Sequence, residues 1–390
     1  MEHNYSEIRY YGEEDLIEVI ERLLKEPTIY RIGRYVMGNV TDEQIREKLR
    51  SYNNVKDFQV HFILQVIKKI IEDTVDHISS EGVDKFSRSP NDKYMFITNH
   101  RNIVLDASFL NHELHMAYGN DFESTAIAIG NNLLNIPWVK DLARLNKSFV
   151  VIRDSGVQQM LENSRNLSSY IRRLIKERIS SVWIAQKEGR AKDGNDYTQP
   201  GLLKMFQMQG SNDFVKDFAE LHMVPVAISY EYDPCISQKV KEQAIIENDG
   251  VYVKSPIDDF NSMYNGLMGY KGRVHLSFGD EITEDVLVKM DGNIPKNEKI
   301  KQLADYIDDF IHSHYQLWPN GFIAADLLNN KRQFEDKYTQ EMKEKFLKYM
   351  DDKLNEIEGD RKQFERIFLT THANPIKNSY KYHDKFVFDF

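Results

Sequence analysis

Six short apolar runs rich in β-branched and aromatic residues, separated by stretches long enough for a helix, constrain this chain more than any other feature. They are Tyr94 to Thr98, Thr125 to Ile129, Ser148 to Ile152, Ser181 to Ala185, Val224 to Tyr230 and Val274 to Phe278. Such runs read as strands buried on both sides, and their alternation with helix-length segments reads as a mostly parallel sheet covered by helices. The expected class is therefore α/β. Loops at the carboxyl ends of strands in such a sheet are where sites form.

The flanks differ in texture. Between about residues 13 and 90, Val55, Phe58, Phe62, Val66 and Ile70 recur at spacings of three and four, a helical pattern. Turn-rich Ser87 to Asp92 marks its end. Beyond about residue 285 the chain turns helical again, with Phe334, Tyr338, Met342, Phe346 and Tyr349 at helical spacing in a charge-dense segment, so one face should pack. The last aromatics, Tyr380, Tyr382, Phe386, Phe388 and Phe390, read as a docked edge strand or as an apolar tail. The expected organisation is a helical N-terminal region over 1–90, an α/β domain over 91–285 and a helical C-terminal extension over 286–390.

Composition narrows the function classes. With 41% hydrophobic and 29% charged residues, the chain is too apolar for disorder, and 390 residues suffice for a sizeable core. A net charge of -10 and a pI near 5.7 exclude a general nucleic-acid binder, which needs a broad basic face. Cys235 is the only cysteine, so neither an internal disulfide nor a CxxC pair exists. No window approaches eighteen uninterrupted apolar residues, and the polar start lacks the features of a secretory signal. The expected location is the cytoplasm.

The chemistry-bearing residues fall in four blocks at strand ends. The first, Ile97 to Asp106, holds His100 and, one to two helical turns later, Asp106. A histidine fixed through one ring nitrogen by a carboxylate presents the other as a general base toward a hydroxyl. The second, Lys147 to Asp154, ends a strand in Arg153, a residue suited to bidentate phosphate binding. The third, Trp183 to Gly194, opens a strand into a glycine-containing loop carrying Lys187, Glu188, Gly189, Arg190 and Lys192. The fourth, Met223 to Glu231, is a strand with Pro225 near its start. Each block has a structural alternative: His100 as a helix-capping residue, Arg153 and Asp154 as a surface ion pair, Glu188 as a solvated loop residue, Pro225 as strand architecture. His112 and Glu113 read as a solvated helix face, because a zincin helix needs histidines four apart. Basic, amphipathic Arg165 to Ser180 reads as a helix covering the sheet before it reads as a membrane-surface helix. No GxSxG, P-loop or GxGxxG is present.

The order of these blocks, over about residues 93 to 283, resembles the four motifs of the glycerolipid acyltransferase family, which includes bacterial glycerol-3-phosphate and 1-acylglycerol-3-phosphate acyltransferases. The closing Val274 to Ile282 is similar to that family's last strand, and Gln199-Pro200-Gly201 with Ile228 to Glu231 looks like the glycerol-3-phosphate branch. The resemblance implies an acyltransferase domain over 91–285 in which His100 is the base and Asp106 its partner. It implies that Arg101, Arg153 and the loop Lys187, Glu188, Gly189, Arg190 and Lys192 hold the acceptor, with Pro225 near the acyl-binding side. It further implies a coenzyme A or acyl carrier protein thioester as co-substrate, a glycerol phosphate or lysolipid acceptor, no cofactor or metal, and a peripheral seat on the inner face of the membrane. Backbone amides near the strand ends would hold the oxyanion.

Three departures bear on this. Five residues separate His100 from Asp106 where the family has four, Arg190 directly follows Glu188-Gly189, and Lys147-Ser148 stands where the second motif has a leading glycine. One extra residue in a helix start rotates a side chain by about 100 degrees, so Asp106 reaches His100 only if the turn is wider or the helix begins later. Whether Arg190 or Lys192 takes the phosphate is left open by the shortened third block. The alternatives to glycerol-phosphate acylation are O-acylation of another lysolipid and a catalytically silent lipid-binding protein.

Overall fold

The computed structural model describes residues 5–86, 92–153 and 156–381. Most of the turn expected at Ser87 to Asp92, Asp154, and terminal Tyr382, Phe386, Phe388 and Phe390 lie outside those residues.

Seven strands form the central sheet: β1 (Val75–Glu81), β2 (Met95–Thr98), β3 (Ala126–Gly130), β4 (Ser148–Val151), β5 (Val182–Ala185), β6 (Met223–Tyr230) and β7 (Gly272–Phe278). Their order is β1-β7-β6-β2-β5-β3-β4, and every pairing is parallel except β6 with β7. All six expected runs are strands. The carboxyl ends of β2 to β6 therefore share one edge, which is where the four blocks end.

Helices α1 (Leu16–Leu23), α2 (Pro27–Met37), α3 (Asp42–Arg50), α4 (Val55–Phe58) and α5 (Leu64–Thr74) precede the sheet. Threaded between its strands are α6 (Leu105–Tyr118), α7 (Pro137–Leu145), α8 (Val157–Lys176), α9 (Pro200–Gln207), α10 (Phe214–Ala219), α11 (Ile236–Asp249) and α12 (Pro256–Met268). After it come α13 (Glu284–Met290), α14 (Lys296–His314), α15 (Pro319–Asn329), α16 (Gln340–Leu354) and α17 (Arg361–Lys381).

The period-two geometry of strands sorts side chains between two apolar layers. Met95 and Ile97 of β2 pack with α8, α9, α10 and α14, while Phe96 between them packs with α5 and α6 on the other face. A separate apolar cluster joins α11, α15, α16 and α17, where Phe334 and Phe346 are buried. Basic α8 is a covering helix: Leu167, Tyr170, Ile171, Leu174 and Ile175 enter the core, and Arg172 is buried against the carbonyls of Phe206 and Asp217.

The run expected to stay helical to residue 90 ends at Thr74, where α5 passes directly into β1. That strand was illegible because Val75-Asp76-His77-Ile78-Ser79-Ser80-Glu81 carries only two aliphatic residues. It lies at the sheet edge and pairs with β7 alone, so its existence depends on a partner almost two hundred residues away. Its presence also corrects the reading of His112 and Glu113, which are buried rather than solvated. Nδ1 of His112 meets Oε1 of Glu113 at 2.9 Å, and Ser80 of β1 donates to Oε2 of Glu113 at 2.6 Å.

Candidate active site

The site begins where β2 ends. Asn99 bridges to β6 with both ends of its amide, donating to the Ile228 carbonyl at 2.9 Å and accepting from the Ile228 amide at 2.7 Å. This clamp fixes the backbone one residue before His100. Residues 100–104 then form a loop, and Oδ1 of Asn102 accepts the amides of Val104 and Leu105, each at 3.1 Å, so α6 starts at Leu105. The amides at a helix start need such acceptors.

The extra residue between His100 and Asp106 is absorbed in that loop. Asp106, in the first turn of α6, folds back so that Oδ2 lies 2.8 Å from Nδ1 of His100. The same oxygen accepts the amides of Arg101 at 2.7 Å and Asn102 at 2.9 Å. The other oxygen, Oδ1, accepts from the Tyr230 hydroxyl at 2.7 Å. Four donors and no acceptor surround a fully buried carboxylate, the environment an ionised aspartate requires. Because Asp106 only accepts, Nδ1 of His100 carries the proton and Nε2 holds the free lone pair. The His100 side chain is 13% exposed, with its ring edge-on to Trp183 at 5.9 Å between centroids.

Nothing in the fourth block itself marks Tyr230 for this contact. Burial first, then the Asp106 carboxylate, push its hydroxyl well above the usual tyrosine value, so it stays a donor. The amides of Arg101 and Asn102 are both engaged by Asp106, so these two are not the ones to hold an oxyanion.

The third block wraps over this loop. The Ala191 amide donates to the His100 carbonyl at 3.0 Å, and Gly189 adopts φ 72°, a left-handed conformation that favours glycine. Glu188 reaches Arg153: Nε and Oε1 are 3.3 Å apart, with the side chains 62% and 30% exposed. Arg153 lies against Gly130, where a Cβ would stand 3.0 Å from the guanidinium carbon, and its amide donates to Asn131 Oδ1 at 3.0 Å. Arg153 and Glu188 thus stand together at the strand ends.

The remaining cations turn inward. Arg101 is buried and pairs with Asp196, Nε to Oδ2 at 2.9 Å, with Tyr315 5.2 Å from its guanidinium. Arg190 is buried with Asp233 and Cys235 in its field, and Lys192 pairs with Glu242. Burial and then Arg190 pull Lys192 down to about 8 against the pull of Glu242. Lys187 donates to the Asn195 carbonyl at 3.2 Å. These pairings join the third block to the C-terminal helices, since Asn374 of α17 donates to the Asp193 carbonyl at 2.6 Å. Pro225 pairs with Ile97 inside the sheet and would touch any side chain at Gly279.

Residues 77–229, the stretch that holds His100, Asp106, Arg153 and the third block and stops one residue short of Tyr230, match the Acyltransferase family model. That segment is an acyltransferase domain of the glycerolipid type. No curated protein matches the chain. The acyltransferase is an enzyme of acyl transfer in lipid biosynthesis, working between an acyl donor and a lipid acceptor. Among the described residues, no helix is long and apolar enough to cross a membrane, and no group of three or more His, Cys, Asp or Glu side chains is arranged to hold a metal.

Proposed function

We propose that the acyltransferase moves a fatty acyl group from a coenzyme A or acyl carrier protein thioester to a hydroxyl of glycerol-3-phosphate or 1-acylglycerol-3-phosphate, in phospholipid synthesis. Nε2 of His100 takes the hydroxyl proton as the oxygen attacks the thioester carbonyl. Asp106 stays ionised, holds the ring in the reactive tautomer and stabilises the imidazolium. Collapse of the tetrahedral intermediate releases the thiolate, which takes the proton from His100. Arg153 receives the acceptor phosphate, exchanging part of its contact with Glu188 for a charge-assisted one.

The observation that carries this reading is the 2.8 Å contact between Nδ1 of His100 and Oδ2 of Asp106, a buried carboxylate held by four donors. A second acceptor class, a lysophospholipid or lyso-amino-acid lipid, is favoured by one feature: Arg101 and Lys192 pair inward and Arg190 is buried, leaving Arg153 with a carboxylate beside it to meet the acceptor's charge.

The test is labelled acyl thioester, on coenzyme A and on acyl carrier protein, incubated with the full chain and a panel of acceptors. Esterification of glycerol-3-phosphate or its 1-acyl derivative is the expected result. Transfer confined to acceptors without a phosphomonoester would replace it with the second reading.

A further inference from the structure

Helix α12 turns four of its large apolar residues to the wrong side for a helix packed on a core, although Leu267 beside them does pack on the layer formed with α5 and α6. Ser255 and Asp258 form a capping box at its start, Pro256 occupies the first turn and Gly269 follows its end, so its boundaries are well determined by sequence. At about 100° per residue, Ile257, Phe260, Tyr264 and Met268 fall within one narrow stripe, and Ser262 and Gly266 fall opposite. The stripe faces out: its four side chains are 39% to 59% exposed, and Val253 just before the helix is 82% exposed. The inward side holds buried Ser262 and Gly266. Amphipathic helices normally bury the apolar side, so an inverted helix marks a surface that something covers.

The inward side of α12 touches the catalytic loop. Nδ2 of Asn102 donates to the Gly266 carbonyl at 2.9 Å, while the Asn102 amide donates to Asp106. At the other end of the helix, Asn132, two residues beyond β3, donates to Asp259 at 2.9 Å. The helix therefore lies between its exposed stripe and the His100 loop.

We infer that this stripe is the face by which the acyltransferase sits on a lipid surface, bringing lipid acceptor and product to His100 without leaving the bilayer. The inference rests on the lipid acyl-transfer reading and names the physical state in which that substrate is met. A lipid surface fits better than a second copy of the chain, because one helix and its lead-in offer far fewer than the roughly 20 to 30 residues a side of a stable protein interface. Charge does not oppose it. Asp258 is engaged by the Ser255 amide and Tyr252, and Asp259 by Lys254 and Asn132, so neither is an unpaired anion beside the stripe. A short amphipathic helix with aliphatic and tyrosine side chains lies in the plane of the headgroups.

The experiment is flotation of the full chain with vesicles of phosphatidylcholine, with and without phosphatidylglycerol, for the native chain and a variant combining Ile257→Ser, Phe260→Ser and Tyr264→Ser. The native chain is expected to float and the variant to partition about a hundredfold more weakly. Transfer from a short-chain thioester to a water-soluble acceptor should be equal in both. Because three changes together can disturb folding, Tyr264→Trp provides a second reading, with a blue shift of its emission expected on addition of vesicles. A native chain that does not float, a variant that floats as well as the native one, or unshifted tryptophan emission would overturn the inference. So would a native dimer that the variant converts to monomer, which would give the face to a second copy. Flotation needs no turnover, so failure of acyl transfer to every acceptor would sink the proposed function while leaving this result to stand or fall separately.

Discussion

The hydroxyl of Tyr230, at the end of β6, donates to Oδ1 of Asp106 at 2.7 Å, on the carboxylate whose other oxygen receives Nδ1 of His100. Tyr230 touches no reacting atom in this arrangement. It positions Asp106, and through it the imidazole, from the strand next to the one that carries His100.

Removing that hydroxyl leaves a buried carboxylate one donor short. A hydrogen bond to a charged group contributes about 1.5 to 3 kcal/mol, so Tyr230→Phe should lower kcat by roughly tenfold or more. KM for the acceptor should be unchanged, and the acid limb of the kcat profile should move. A stability loss with an unaltered pH profile would leave Tyr230 a packing residue.

In the proposed reaction Arg153 meets the acceptor rather than the reacting bond. Arg153→Ala should raise KM for a phosphorylated acceptor by about ten- to a hundredfold with little change in kcat, and Arg153→Lys should recover only part of it. Initial rates against acceptor concentration decide this. An equal loss of kcat at unchanged KM would place Arg153 elsewhere in the cycle.

Gly266 lets α12 approach the catalytic loop. A Cβ there would stand 2.9 Å from Nδ2 of Asn102, whose Oδ1 begins α6. Gly266→Ala should cost about 1 to 3 kcal/mol of stability and lower kcat together with it, because Asn102 has to move. Thermal melts paired with single-turnover rates test the coupling.

Asp308 of α14 is buried and accepts the amide and the hydroxyl of Thr198 at 2.7 and 2.6 Å, anchoring the segment that follows the third block. Burial raises its carboxyl to about 7, further than those donors lower it. The folded chain thus holds this proton more tightly than the unfolded one does. The contribution to stability is fully present below about pH 4 and is lost as pH rises through about 7. Asp308→Asn should flatten that part of the stability profile, which denaturant melts between pH 4 and 8 would reveal.

Much of the architecture was legible because strands buried in a parallel sheet are largely apolar, as β2 to β6 are, and β7 alternates Val274, Leu276 and Phe278 with polar residues. β1 was not, since an edge strand with Val75 and Ile78 as its aliphatics needs no such pattern. At the site, His100 meets Asp106 as the first block suggested, whereas the pairing of Arg153 with Glu188 joins two blocks that nothing in the sequence pairs. The doubt over the long His100 to Asp106 spacing dissolves only in three dimensions, because nothing local announces that α6 waits until Leu105. Arg101 and Arg190 were expected as acceptor ligands from the resemblance, and both are buried. Their burial comes from Asp196, Asp233 and Tyr315, partners that a linear reading of the motifs does not bring beside them. Tyr230 was in view throughout, but its role depends on β6 lying next to β2.

The central claim is that His100 removes the proton from the acceptor hydroxyl. Its most direct measurement is single-turnover transfer of a labelled acyl group from its thioester to glycerol-3-phosphate by the native chain and by His100→Ala, with folding of both checked by their melting curves. We expect the native chain to esterify the acceptor and the variant, equally folded, to be slower by about a thousandfold or more. A folded His100→Ala chain that transfers the acyl group at the native rate would contradict it.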